Sequence, residues 1–403
     1  MTSPAGPATQ RPSLPFPIIV RNQVLLVLAI IAAVAALTSG FVVLAPNRLI
    51  SGRPIALWSA VGGGWTIGFA VLGALLLAAS LSPPARRLHG GVALIAGLLL
   101  LVTLAAAGHA AGVLAAGAGP AARISLGGAF WLIAGCAGLA VVDALQRLGA
   151  GPARRVLAVV AIGGGIAVLA VAGVFDELSI VREYAGRRQL FAEALLRHMA
   201  LVAGSVGPAL AIGVPLGIAA VRVPRMQGLL FAVLNMLQTI PSIALFGLLI
   251  VPLSALATAV PRLAALGVGG IGPAPAIVAL VLYALLPIVR NTAAGLAGVD
   301  RAVIDAARGM GLTRRQLFWQ IELPLALPVL LAGLRIVVVQ TIGLAVVAAL
   351  IGAGGLGTFV FEGLGQYALD LVLLGALPAI FLALAADFVL QTLAAMRPRP
   401  MLG

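Results

Sequence analysis

Residues 301–324 read Arg-Ala-Val-Ile-Asp-Ala-Ala-Arg-Gly-Met-Gly-Leu-Thr-Arg-Arg-Gln-Leu-Phe-Trp-Gln-Ile-Glu-Leu-Pro, the most charged island in the C-terminal half of the chain. Asp300 has the side chain to cap a short helix whose apolar positions Ala302, Val303, Ala306 and Met310 fall at helical spacing. Asp305 adds negative charge in its early turns, where the helix dipole favours it. Gly309 and Gly311 stand where that helix should end. Thr313, followed three residues later by Gln316, is a capping box that starts a second short helix at about Arg314 and carries it to Pro324. The stretch is thus predicted to be helix, glycine elbow and helix, held outside a bilayer.

The bilayer follows from everything around the island. With 62% hydrophobic and 9% charged residues, the chain has too little polar surface for a soluble, disordered or nucleic-acid-binding protein. All 25 basic residues are Arg, and they gather in short links between apolar runs, so the formal charge of +14 reports membrane topology. Without lysine no Walker A sequence can exist, and any ATP chemistry belongs to another chain. Cys136 is the lone cysteine, which excludes an intramolecular disulfide and a CxxC site. His89, His109 and His198 are scattered, with no metal-binding pattern.

A hydrocarbon core takes about 20 apolar residues per helix. Uncharged runs of that length predict an all-α polytopic protein with about ten spans: 24–46, 63–81, 91–114, 127–145, 156–174, 199–221, 228–251, 274–290, 325–350 and 370–392. Residues 1–23, rich in proline, read as a disordered cytoplasmic tail, and 393–403 as a second cytoplasmic tail. The run 24–46 is longer than a signal-peptide core of about 7–15 residues and is read as an uncleaved first span. Small residues near Ala35–Gly40 leave cleavage open there. Residues 24–174 form an N-terminal five-helix extension without an internal repeat of the second half. The mixed-charge segment 175–198 reads as an interfacial or linker helix on the periplasmic side, and 199–392 as a five-span core containing the 301–324 loop. With the N-terminus inside, arginines such as Arg86, Arg154, Arg225, Arg314 and Arg399 fall on the cytoplasmic side. Fewer fall opposite, Arg182 and Arg262 among them, so both termini and the 301–324 loop are placed in the cytoplasm.

The pattern Asp305-Ala306-Ala307, three residues, Gly311, nine residues, Ile321-Glu322-Leu323-Pro324 resembles the EAA motif of ABC importer permeases, with Asp305 where the family usually has Glu. In that family the loop is the coupling helix, which docks into a cleft on a separate ATPase subunit. The resemblance therefore implies ATPase coupling for Asp305, Ala306, Ala307, Gly311, Ile321, Leu323 and Pro324. His198-Met-Ala-Leu-Val, Gly213-Val-Pro-Leu-Gly-Ile, Gln238-Thr-Ile-Pro-Ser and Ile351-Gly-Ala-Gly-Gly-Leu-Gly, in that order, look like permeases of the type I osmoprotectant branch. That branch imports glycine betaine, choline, carnitine or related compounds. The resemblance implies an inner-membrane permease that bears no cofactor itself and pairs with a second permease chain, identical or not. It also implies two ATPase subunits, which bind ATP and Mg, and a periplasmic solute-binding protein.

Polar residues inside the spans ask for a partner or a task. Asn235, Gln238, Thr239 and Ser242 share i, i+3, i+4, i+7 spacing, and Pro241 should bend or break the helix that carries them. The set reads either as the wall of a translocation path or as a polar packing seam. Gly352, Gly354, Gly355 and Gly357 are too dense for a helix interior and predict a tight outward-facing turn beside a gate, or a plain connecting loop. Arg335 and Asp387 would pair if the last two spans are antiparallel neighbours, with snorkelling of Arg335 as the alternative. No aromatic cage for a quaternary ammonium is visible. Competing functions are an importer permease for another solute, such as an amino acid, and an ion-coupled secondary transporter. The latter needs an acid at mid-membrane, and the core offers no obvious one, Asp387 lying toward the inner end of the last span.

Overall fold

The computed structural model describes residues 21–47, 50–265 and 267–395, so both tails fall largely outside the described residues. Among these, nine helices are long and apolar enough to cross a bilayer. The chain divides into two compact units between Leu178 and Ser179.

The first unit runs α1 (Gln23–Thr38), β1 (Val42–Ala45), β2 (Arg53–Ile55), α2 (Leu57–Val61), α3 (Gly63–Leu81), α4 (Arg86–Ala116), β3 (Arg123–Leu126), α5 (Gly128–Arg147) and α6 (Pro152–Val171). Helix α1 packs on α3 and α5, and α4 on α3, α5 and α6. The first span is shorter than the sequence predicts. It stops at Thr38, because Ser39 turns extended and the β-branched Val42 and Val43 enter a sheet of order β2-β1-β3, antiparallel throughout. Sixteen residues of helix rise about 24 Å, less than the ~30 Å hydrocarbon core. The sheet was not expected from the apolar run. It ties the ends of α1 and α4 to the starts of α2 and α5, with the Phe41 N–H donating to the Ile55 carbonyl at 2.8 Å and the Gly127 N–H to the Phe41 carbonyl at 2.9 Å. Helix α6 buries none of its residues, as a helix solvated by lipid on most sides would.

The second unit runs α7 (Ser179–Gly186), α8 (Arg188–Arg222), α9 (Pro224–Thr239), α10 (Ser242–Ala259), α11 (Pro261–Ala265), α12 (Pro273–Ala297), α13 (Arg301–Gly309), α14 (Arg314–Leu317), α15 (Leu323–Val347), α16 (Gly357–Gly365) and α17 (Leu369–Ala395). Two corrections to the sequence reading arise here, together with one break that it expected. Residues 175–198 are not one linker helix: α7 is a separate short helix, and from Arg188 the chain already belongs to the 35-residue α8. The span 228–251 is two helices, because Pro241 cannot donate to the ladder and Ile240 turns extended. The second helix of the 301–324 stretch does not end at Pro324. A π turn at Phe318–Glu322 widens the spiral, the Leu323 N–H reaches the Phe318 carbonyl, and Pro324 sits in the first turn of α15, where its missing donor is tolerated.

Helix α12 is the axis of this unit, packed against α8 on one side and α15 on another. Close approach to α8 depends on Gly213 and Gly217. A Cβ at Gly213 would lie 2.7 Å from Ile288 Cγ2, and one at Gly217 would lie 2.5 Å from Thr292 Cβ. This is the small-xxx-small packing that membrane helices use in place of a hydrophobic drive.

Candidate functional site

The 301–324 stretch folds as a knob between α12 and α15. The Asp300 carboxylate accepts from the Ala302 N–H at 2.9 Å and starts α13. At its end the Leu312 N–H reaches back to the Ala307 carbonyl at 3.2 Å, and the Gly311 N–H to the Arg308 carbonyl at 2.9 Å. This is a Schellman closure, and it puts Gly311 at φ 82°, in the left-handed region that favours glycine. Gly309 remains inside the helix, so the stop belongs to Gly311 alone. The capping box forms as read: the Thr313 hydroxyl accepts from the Gln316 N–H at 3.3 Å, and the Gln316 side chain accepts from the Thr313 N–H at 2.9 Å.

The face of α13 turned inward differs from the predicted stripe. Ala307 is buried and Val303 and Ile304 are half-buried, whereas Ala302, Asp305, Ala306 and Met310 are exposed. Asp305 keeps a loose pairing with Arg308 at 3.5 Å, both in solvent. Met310 and Trp319 are 73% and 59% exposed, so the knob presents large apolar side chains beside the exposed Gly311 and Pro324. Ile321 and Leu323 are half-buried. Glu322 is buried, and its carboxylate accepts from the Arg222 guanidinium at the end of α8. That clamp was missed in the sequence, where Glu322 counted as motif and Arg222 as topology. The available signal was a lone acid flanked by Ile321 and Leu323.

At the Pro241 break, the expected sharing of one face by four polar residues holds only up to Thr239, since Ser242 opens α10. Gln238 donates its side-chain N–H to the Tyr283 carbonyl at 2.6 Å, and the Tyr283 hydroxyl donates to the Ile240 carbonyl. Asn235 accepts from Arg290 at 3.2 Å, and the Thr239 hydroxyl bonds the Met236 carbonyl at 2.7 Å. The break is therefore stitched to α12, with Tyr283 satisfying the carbonyl that the extended Ile240 leaves outside the helix. A small apolar cavity of about 170 Å³ lies between α8, α12 and α15, lined by residues such as Leu210, Val214, Ile288 and Leu334, with none of the Asn235–Ser242 polar set on its walls.

The glycine run forms a turn after a 3₁₀ segment, with Gly352, Gly354 and Gly355 at positive φ. Gly357, counted with the turn in the sequence, instead opens α16 and packs against Val346 and Ala349. The turn is held by Arg197, whose Nε donates to the Ala353 carbonyl at 3.1 Å, and by the Gly272 N–H on the Ile351 carbonyl at 2.8 Å. Buried His198 packs beneath it: a Cβ at Gly355 would lie 3.3 Å from His198 Nδ1. Nearby, Arg187 joins Glu183 at 2.9 Å and Glu362 at 2.8 Å, tying the start of α8 to α16. On α15 and α17, the half-buried Arg335 guanidinium donates through two nitrogens to both oxygens of Asp387, joining the two helices. Arg335 therefore pairs, and does not stand alone as a snorkelling cation.

The second unit is thus a helical bundle that offers a short capped knob between α12 and α15. Residues 210–396 match the family model described as binding-protein-dependent transport system inner membrane component, and residues 20–181 match that of the ABC transporter permease YehY N-terminal domain. The carnitine transport permease protein OpuCB of Listeria monocytogenes is 42% identical over 197 residues, 49% of this chain and 83% of that protein. The osmoprotectant import permease protein OsmW of Salmonella typhimurium is 41% identical, over 50% of this chain and 89% of that one. The choline transport system permease protein OpuBB of Bacillus subtilis is 38% identical, over 44% and 75%. Among solved structures, the methionine ABC transporter MetNI in an inward-facing conformation aligns with a TM-score of 0.44 at 24% identity, covering 53% of this chain and 99% of that one. The chain belongs to the binding-protein-dependent ABC importer permease family. It is a multi-pass membrane transport subunit, and that membership sets aside an ion-coupled secondary transporter.

Proposed function

We propose that this chain carries a small osmoprotectant, such as glycine betaine, choline or carnitine, across the bacterial inner membrane, with both its termini in the cytoplasm. A periplasmic binding protein delivers the solute, and the energy comes from two ATPase subunits that hold ATP and Mg, since a chain without lysine carries no Walker A sequence. A second permease chain, identical or not, completes the path. The observation that carries this reading is the knob between α12 and α15, on which Met310 and Trp319 are large, exposed apolar side chains. They fit a cleft on a soluble partner, and Asp305, Ala306, Ala307, Gly311, Ile321, Leu323 and Pro324 form or support the docking surface. Movement of the docked knob would tilt α12 and α15, which it joins directly, with the Arg222–Glu322 clamp passing the motion to α8. In the same reading the Asn235–Ser242 break borders the path and the Gly352–Gly357 stretch forms its outer gate. The relatives' names support osmoprotectants as substrates and give no support to an amino acid.

The test is uptake of labelled carnitine, choline and glycine betaine in cells deprived of other osmoprotectant importers and supplied with this chain, its ATPase and its binding protein. Uptake of at least one is expected, with a loss of tenfold or more in the Met310→Asp, Trp319→Asp double variant at unchanged membrane abundance. Undiminished uptake in that variant would remove the knob from the coupling route. Uptake of none of the three by the intact assembly would overturn the substrate class.

A further inference from the structure

The first unit contains an open apolar groove of about 330 Å³ that no part of the transport reading uses. It runs between α1 and α3, from Leu25 to Leu37 along the first and from Thr66 to Leu77 along the second, over a floor that includes Leu99 and Cys136. Twelve residue steps along α1 give it a length of about 18 Å, close to the ~15 Å hydrocarbon depth of one leaflet. Its walls are almost wholly alkyl and aromatic carbon. The Thr66 hydroxyl is already spent on the Gly62 carbonyl at 2.9 Å.

We infer that the groove binds one acyl chain of an anionic phospholipid, held by its phosphate at the end of the groove that carries Arg21. Three observations carry this. Such a wall cannot hold a peptide strand, whose N–H and C=O groups would go unpaired, whereas an acyl chain needs no partner. The Leu25 end is cationic on balance. Exposed Arg21 lies just outside α1, four residues before Leu25, with its backbone N–H on the Ser80 carbonyl at 3.2 Å, and exposed Arg86 and Arg87 start α4 beside it. The acid there, Asp143, which accepts from Asn22 at 3.1 Å, is paired with Arg147 at 2.8 Å. Phosphate is the complementary group at the depth where headgroups sit. Finally, the space is real at the level of single atoms, because a Cβ at Gly73 in the groove wall would meet nothing within 4 Å. The inference concerns the membrane and does not rest on which solute is transported.

Native mass spectrometry of the full chain in detergent, titrated with phosphatidylglycerol or phosphatidylcholine, tests it. One tightly held phosphatidylglycerol per chain is expected, with occupancy at least tenfold lower in Gly73→Leu, whose Cβ meets open space and whose side chain takes up groove volume. Arg21→Gln should narrow the preference for phosphatidylglycerol over phosphatidylcholine several-fold. A second readout uses Cys136 in the floor: delipidated wild-type protein should react with N-ethylmaleimide several-fold faster than protein resupplied with phosphatidylglycerol. Equal lipid occupancy in wild type and Gly73→Leu, as for unspecific annular lipid, overturns the assignment. So does a Cys136 rate indifferent to lipid, or lipid binding that emerges only when residues 1–20 are deleted, since the chain's own N-terminal segment would then be the occupant.

Discussion

At the scale of single residues, Gly311 and Tyr283 do work that no other side chain does as well. Gly311 holds φ 82° with open space around its Cβ position, so its requirement is conformational and not steric. A left-handed L-residue costs about 1–2 kcal/mol, and a β-branched one more, whereas Asn visits that region readily. Gly311→Val should therefore loosen the elbow and lower ATP-driven uptake by tenfold or more, with Gly311→Asn keeping most of it. Equal uptake by the two variants would show that the elbow's backbone is not what matters. Tyr283→Phe removes the donor that satisfies the Ile240 carbonyl at the Pro241 break. The expected loss is about 1 kcal/mol, read as a lower melting temperature of the purified chain in detergent. These two residues differ in legibility. Gly311 was marked by a capping box and a helix stop nearby in sequence. Tyr283 lies more than forty positions from the carbonyl it serves, and an isolated tyrosine in an apolar run announces no partner.

At the scale of elements, the contact between α8 and α12 sets how closely the second unit packs. Gly213 and Gly217 face Ile288 and Thr292 with no room for a side chain, so Gly217→Leu forces the helices apart at a cost of about 1–3 kcal/mol. Thermal denaturation should show the loss. An unchanged midpoint would mean that α8 slides without penalty. Helix caps, the Pro241 break and most span boundaries were readable, because they depend on local backbone chemistry: a missing N–H, a Ser, Thr or Asp oxygen, a run of about 20 apolar residues. The three strands and the π turn were not. Val42 and Val43 read equally well as the end of an apolar helix, and only pairing with Ile55 and Leu126 makes them a strand. The π turn before Pro324 arises from joining a capped helix to a span without a gap, which a proline in sequence instead signals as a stop.

At the scale of the whole molecule, the proposed orientation, read from the arginine distribution, has the knob in the cytoplasm and the α16–α17 turn on the other side. In a Cys136→Ser background, a membrane-impermeant maleimide should label Tyr367→Cys from outside intact cells and Met310→Cys only in inverted vesicles. The reverse pattern would move the knob away from any ATPase. The sequence by itself determined that this is a polytopic permease with a capped knob between two spans, because hydropathy, helix caps and a spaced motif are local properties that survive without coordinates. Only the tertiary structure decided which charges meet, Arg222 with Glu322 and Arg335 with Asp387, and that α1 and α3 leave a groove between them. Those features depend on which helix faces which. In a chain where nearly every face is apolar, periodicity carries little of that information, and close packing at a few small residues supplies it instead.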